Sequence, residues 1–188
     1  CAALAVSFDF KATDAALADF DTRFGRSPLA HYEVGRALSD ARQYAPSQTH
    51  LEEAAKRQPF APEPYIDLGL MLLQAGKDVD ALRALERAFS LDPFHARADN
   101  SLRLARELQT YERIETPHYI IRCKPGANTD GGPSDTLLAR DMAGPLERNY
   151  TIVTGNQNGG IDFEPKAKTM IDLMPDHAWF AVRIAGLP

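Results

Sequence analysis

As far as about Tyr111, the apolar side chains of this chain return every three or four positions, as in helices that bury one face. From Thr116 that rhythm gives way to short alternating runs. The helical stretch also repeats itself. Laid over segment 62–95, segment 28–61 coincides with it at Pro28/Pro62, Gly35/Gly69, Leu38/Leu72, Ala41/Ala75, Leu51/Leu85, Glu52/Glu86, Ala54/Ala88, Pro59/Pro93 and Phe60/Phe94. Composition alone gives roughly two coincidences over such a window, so the recurrence predicts stacked copies of one unit. Each recurring type has a place in a pair of packed helices. Gly35 and Gly69 fall in mid-helix, where glycine costs about 0.5 to 1 kcal/mol relative to alanine, and their return at one phase predicts a close helix approach. Ala54 and Ala88 are the small residues expected to face it, and Leu38, Leu51, Leu72 and Leu85 the core within each pair. Pro59 and Pro93 cannot continue a helix and close each copy, whereas Pro28 and Pro62 suit a first helical turn.

A further step back by the same interval places Cys1, Leu4 and Leu17 under Gly35, Leu38 and Leu51, with Gly25 under Pro59. Residues 1–27 then read as a truncated copy, with Cys1 inside a helix whose start lies upstream. This predicts a chain cut from something longer. Residues 96–112 read as a closing helix, with Leu102, Leu104, Ala105 and Leu108 on or near one face and Arg97, Arg103, Arg106 and Glu107 supplying polar character. Such terminal helices cap an otherwise exposed apolar face.

The pattern Tyr65, Leu68, Gly69, Leu72, Ala81, Leu85, Ala88 and Pro93 resembles the tetratricopeptide repeat family, and the resemblance covers residues 1–112. The copy at 28–61 departs from it with His31 at an aromatic slot and Ser47 at a small-residue slot. The resemblance implies a mainly α fold, an array of antiparallel helix pairs whose first helices line a concave groove for a peptide or partner helix. Carried over by position, the groove residues are Tyr32, Arg36 and Asp40, then Ile66, Leu70, Leu73 and Gln74, then Asn100 and Leu104. Ile66 and Leu70 stand where family members that clamp a C-terminal carboxylate carry polar residues, which argues against such a ligand. Tyr32, Ile66, Leu70 and Leu73 point instead to an apolar or amphipathic partner. Two arrangements stay open: a free groove, or one filled by the chain's own C-terminal segment.

Residues 116–188 read as a small α+β segment in the order strand, helix, strand, helix, expected to be part of an incomplete domain. His118–Cys123 is the first strand, followed by the turn-rich stretch Lys124–Ser134. Ser134–Val153 is a helix with Ser134 as N-cap and a kink expected at Gly144-Pro145. Asn156–Gly160 is a loop, Lys168–Met174 a second strand, and Asp176 the cap of a final helix. Thr116-Pro117-His118-Tyr119, Leu146-Glu147-Arg148-Asn149-Tyr150, Trp179-Phe180-Ala181-Val182-Arg183 and Gly186-Leu187-Pro188 resemble, more loosely, the start of a peptidase MA-like (gluzincin) domain. That resemblance implies an H-E-x-x-H zinc helix further on, beyond residue 188, and this chain contains no such motif. A sheet begun and left open at its edge also predicts self-association.

Composition narrows the function. With 21 Lys and Arg against 26 Asp and Glu, the net charge is -5, and no basic cluster offers phosphates a face, so nucleic acid is excluded. No apolar run reaches the roughly 18 residues of a membrane span, and the chain reads as soluble, cytoplasmic or exported. Cys1 and Cys123 form neither a disulfide framework nor a metal knuckle. His31, His50, His95, His118 and His177 lack metal-ligand spacing. Thr154–Gly160 with Asp162 lacks the ligand order of a calcium loop, Lys124–Gly132 lacks the end of a phosphate loop, and no nucleophilic triad has a local signature. The expectation is therefore a protein-protein interaction scaffold with no metal, no cofactor and no catalysis in this chain. The alternative is the non-catalytic N-terminal part of a zinc metallopeptidase-like protein.

Overall fold

The computed structural model describes residues 1–126, 134–154, 160–161, 164–165 and 167–185. It is mainly helical with a small α+β segment near the C-terminus, and it divides into two compact units, residues 1–106 and residues from 107 onward. The first unit holds α1 (Ala2–Val6), α2 (Phe10–Phe24), α3 (Leu29–Asp40), α4 (Tyr44–Arg57), α5 (Glu63–Gln74), α6 (Asp78–Leu91) and most of α7 (Ala96–Leu108).

The sequence period is the spacing of one backbone device. At Phe8, Arg42 and Gly76 the chain turns through left-handed φ values of 63°, 57° and 73°. The next amide then reaches back to the helix just finished, Asp9 N–H to Leu4 C=O, Gln43 to Leu38 and Lys77 to Leu72. A second bond inside each turn runs from Phe8 to Ala5, Arg42 to Ser39 and Gly76 to Leu73. This is the Schellman closure, which satisfies the last carbonyls of a helix and releases the chain for an antiparallel partner.

The paired helices then meet through their small residues. A Cβ built on Gly35 would stand 2.7 Å from Leu51 Cγ, and one on Gly69 would stand 2.6 Å from Leu85 Cγ. Only hydrogen lets α3 lie on α4, and α5 on α6, at that distance. Ser47, at the small-residue slot of its copy, is fully buried and donates its hydroxyl to the Gly35 carbonyl. Leu38, Leu51, Leu72 and Leu85 are all buried at 2% exposure or less. Arg57, near the end of α4, reaches back to α2, where its guanidinium grips both carboxylate oxygens of Asp21 at 2.6 and 2.8 Å and also bonds Glu53.

The second unit carries β1 (Glu112–Glu115), β2 (Tyr119–Cys123), α8 (Asp135–Thr154), β3 (Thr169–Leu173) and α9 (His177–Ala185). The sheet order is β1-β2-β3, with β1 antiparallel and β3 parallel to β2. Strand β1 adds to the expected order, because Glu112-Arg113-Ile114-Glu115 has a single apolar residue and no strand pattern of its own. Its place comes from pairing with β2 in the register Ile114 to Ile121. Helix α8 continues through Gly144-Pro145 and packs Ala139, Met142 and Leu146 over Ile121 and Cys123. The caps Ser134 and Asp176 accept from the amides of Leu137 and Trp179. Most of the Lys124–Ser134 turn, nearly all of the Asn156–Gly160 loop and Gly186-Leu187-Pro188 lie outside the described residues.

Candidate functional site

In the first unit, α3, α5 and α7 present residues to a common cavity of about 220 Å³. Asp67 of α5 organises it. Only 12% of its side chain is exposed. One oxygen accepts from the Tyr32 hydroxyl at 2.7 Å and faces the Arg36 guanidinium at 3.5 Å, and the other accepts from Arg97 at 3.1 Å. Arg36 also lies over the Tyr32 ring, 5.4 Å from its centre, an attraction between a cation and the ring's negative face. Burial first, and then the bond to Asp67, push the Tyr32 hydroxyl up from its ordinary pKa, so it stays a donor. The Arg36 and Arg97 side chains remain about half exposed, at 48% and 44%.

Of the residues expected on the groove, Arg36, Asp40, Leu70 and Gln74 line this cavity, and Tyr32 holds Asp67 behind it. Asn100 is half-buried. Ile66, Leu73 and Leu104 need correction. They are exposed by only 2%, 1% and 1%, and Ile66 packs with Ala88 and Ala98 in the core. These three positions, which the resemblance assigns to an open groove, are taken up by packing within the unit. With Ile66 and Leu73 buried, the accessible lining is polar, against the expected apolar surface.

Residue-by-residue reading missed Ser39, Arg42, Asp67, Met71 and Arg97. A signal was present. The steps from Arg36 to Asp67 and from Asp67 to Arg97 each fall one helical turn short of the repeat, and the three side chains meet across α3, α5 and α7.

Arg42 sits in the turn after α3 at φ 57°, a conformation unfavourable by roughly 1 to 2 kcal/mol for a residue with a Cβ. The same slot carries glycine at Gly76. Its guanidinium makes no hydrogen bond or ion pair among the described residues. The lining thus brings three guanidiniums, Arg36, Arg42 and Arg97, to two carboxylates, Asp40 and Asp67; Asp67 is engaged by Tyr32, Arg36 and Arg97, and Arg36 also pairs with Glu33 at 3.7 Å. By its lining side chains the cavity holds one more guanidinium than carboxylate, in a chain whose net charge is -5.

Among the described residues no group of three or more His, Cys, Asp or Glu side chains converges as metal ligands, and no helix is long and apolar enough to cross a membrane. Cys1 is half-buried and Cys123 is buried in β2, where burial raises its thiol pKa above the ordinary value. No protein-family model and no curated protein matches this chain.

Proposed function

We propose that this chain is a protein-interaction scaffold of the tetratricopeptide type, and that its groove holds an extended acidic segment of a partner protein. The regular recurrence of the turns and of the glycine contacts supports the repeat reading. The partner's chemistry rests on one observation: Arg42 stands in a strained turn with no hydrogen bond or ion pair among the described residues, beside two half-exposed guanidiniums whose nearest acid, Asp67, is already satisfied. Guanidinium is the side chain suited to bidentate recognition of carboxylate. An acidic side chain entering between Arg36, Arg42 and Arg97 supplies the missing acceptor, and Gln74 and Ser39 offer amide and hydroxyl groups to an extended backbone. The sequence-based objection to a C-terminal carboxylate does not extend to internal Asp or Glu residues.

The test is fluorescence anisotropy with a labelled, C-terminally amidated decapeptide rich in Glu and Asp, compared with its Gln and Asn counterpart. The acidic peptide should bind saturably, and Arg36→Ala or Arg97→Ala should weaken it about tenfold, the effect of losing a charged interface contact. Equal binding of both peptides, or unchanged affinity in both variants, would remove the assignment.

A further inference from the structure

His118, just before β2, and Glu147, in α8, stand 29 residues apart in the chain, yet they form one constellation in the second unit. One Glu147 oxygen accepts from the Thr116 hydroxyl and from the His118 backbone N–H at 2.9 Å, and the other lies 2.6 Å from His118 Nδ1. Those bonds, His118's first, pull the Glu147 carboxyl down to about 2. An ionised carboxylate can only accept, so Nδ1 carries the proton, and it is the neutral form of the ring that presents Nε2 as a bare lone pair. The ring plane is fixed as well: Tyr150 stacks on it with centroids 3.7 Å apart and planes 16° from parallel. No protein group among the described residues bonds Nε2, and His118 borders a cavity of about 210 Å³ with Tyr150, Glu164 and Lys168, walled by Pro117 and Pro165.

We propose that His118 is the nucleophile of a site that accepts small activated acyl compounds, with Glu147 as its positioning residue. Nε2 attacks the acyl carbon and the bond to the leaving oxygen breaks. The acylated ring is an acyl-imidazolium; water adds to its acyl carbon, the carbon–nitrogen bond breaks to free the neutral imidazole, and the proton that water gives up goes to the leaving oxyanion or to solvent. Net, one water and one ester become an alcohol and an acid. A carboxylate on the far nitrogen locks the tautomer that exposes Nε2 and stabilises positive charge on the ring as the bond forms. The Lys168 ammonium, which is paired with Glu115 at 3.2 Å, places positive charge at the cavity where the acyl oxygen becomes negative.

The experiment uses the intact chain and p-nitrophenyl acetate, following p-nitrophenolate release, with peptide mapping of the acetylated protein by mass spectrometry. Release should saturate with substrate, and an acetyl adduct should appear on the His118 peptide. His118→Gln should lower the rate about tenfold or more, as expected for removal of the reacting group. Glu147→Gln should lower it and alter its pH profile, which a purely structural role would not do, while His177→Gln on α9 should leave it unchanged. A rate linear in substrate and no greater than that of free imidazole would overturn the proposal. So would an adduct confined to Lys168, a reading on the unaltered chain that does not depend on how the variants fold.

Discussion

Gly35 and Gly69 are where a single atom decides the packing, since a methyl group at either would overlap Leu51 or Leu85. Gly69→Ala, and Ala88→Leu across the same helix pair, should each destabilise the chain by about 1 to 3 kcal/mol, the usual penalty for overpacking. Thermal unfolding is the check, and melting temperatures unchanged in both would show that the helices do not approach as described. Arg42 gives the opposite sign. Arg42→Gly relieves a left-handed φ and should stabilise by about 0.5 to 1 kcal/mol, once glycine's greater entropy in the unfolded chain is subtracted. In the same variant, affinity for the acidic peptide should fall.

His31 and His50 face each other with Nδ1 atoms 3.0 Å apart, so one ring donates and the other accepts. Both are held below the ordinary histidine value of 6.5, burial being the largest cause. Arg57 adds to this at His31, against Asp21 and Glu53, and Asp14 opposes it at His50. Because the unfolded chain takes up protons at a higher pH than the folded one, the neutral pair contributes stability above about pH 6.5 that is lost as the pH falls. The melting temperature should therefore drop between pH 7.5 and 5.5, and less steeply in His31→Gln/His50→Gln. An equal drop in both proteins would assign the effect elsewhere. The sequence placed His31 at an aromatic slot but could not show that His50, on the next helix, supplies its partner.

At the scale of elements, what was legible had a period. Helices α3 to α7 follow from apolar spacing together with the proline and glycine punctuation, and the ends of α8 and α9 from Ser134 and Asp176, which cap as their residue types predict. What escaped depended on partners distant in sequence. Strand β1 exists through β2, and the buried charge of β2 exists through β3. Arg122 is 1% exposed in the middle of the sheet and is gripped by both oxygens of Asp172, its parallel neighbour in register, at 2.6 and 2.9 Å, with Arg183 of α9 on the same carboxylate. Asp172→Asn leaves both guanidiniums without that countercharge and should destabilise the second unit by about 3 to 5 kcal/mol, the range for breaking a buried pair from one side. Denaturant unfolding that shows less than about 1 kcal/mol of loss would mean that solvent screens the triad.

For the molecule as a whole, residues 1–106 and residues from 107 onward carry different chemistry, an arginine-lined cavity in one unit and an ordered imidazole in the other. The mainly helical class followed from the repeat, which needs only local pattern. Of the nine described residues lining the cavity, the helix phase singles out four, Arg36, Asp40, Leu70 and Gln74, whereas Ile66, Leu73 and Leu104 are buried, Ile66 against Ala88 and Ala98. Asp67 and Arg97 join Arg36 through the ion pairs that run from α3 to α5 and from α5 to α7. With a net charge of -5, the chain repels acidic partners at long range. An acidic ligand that still binds must therefore be held locally. The most direct test of that claim is a ¹H–¹⁵N titration of the chain with the amidated acidic decapeptide. Saturable shifts confined to residues around Arg36, Ser39, Arg42, Asp67, Gln74 and Arg97 are the predicted result, and saturable binding whose shifts lie elsewhere would contradict it.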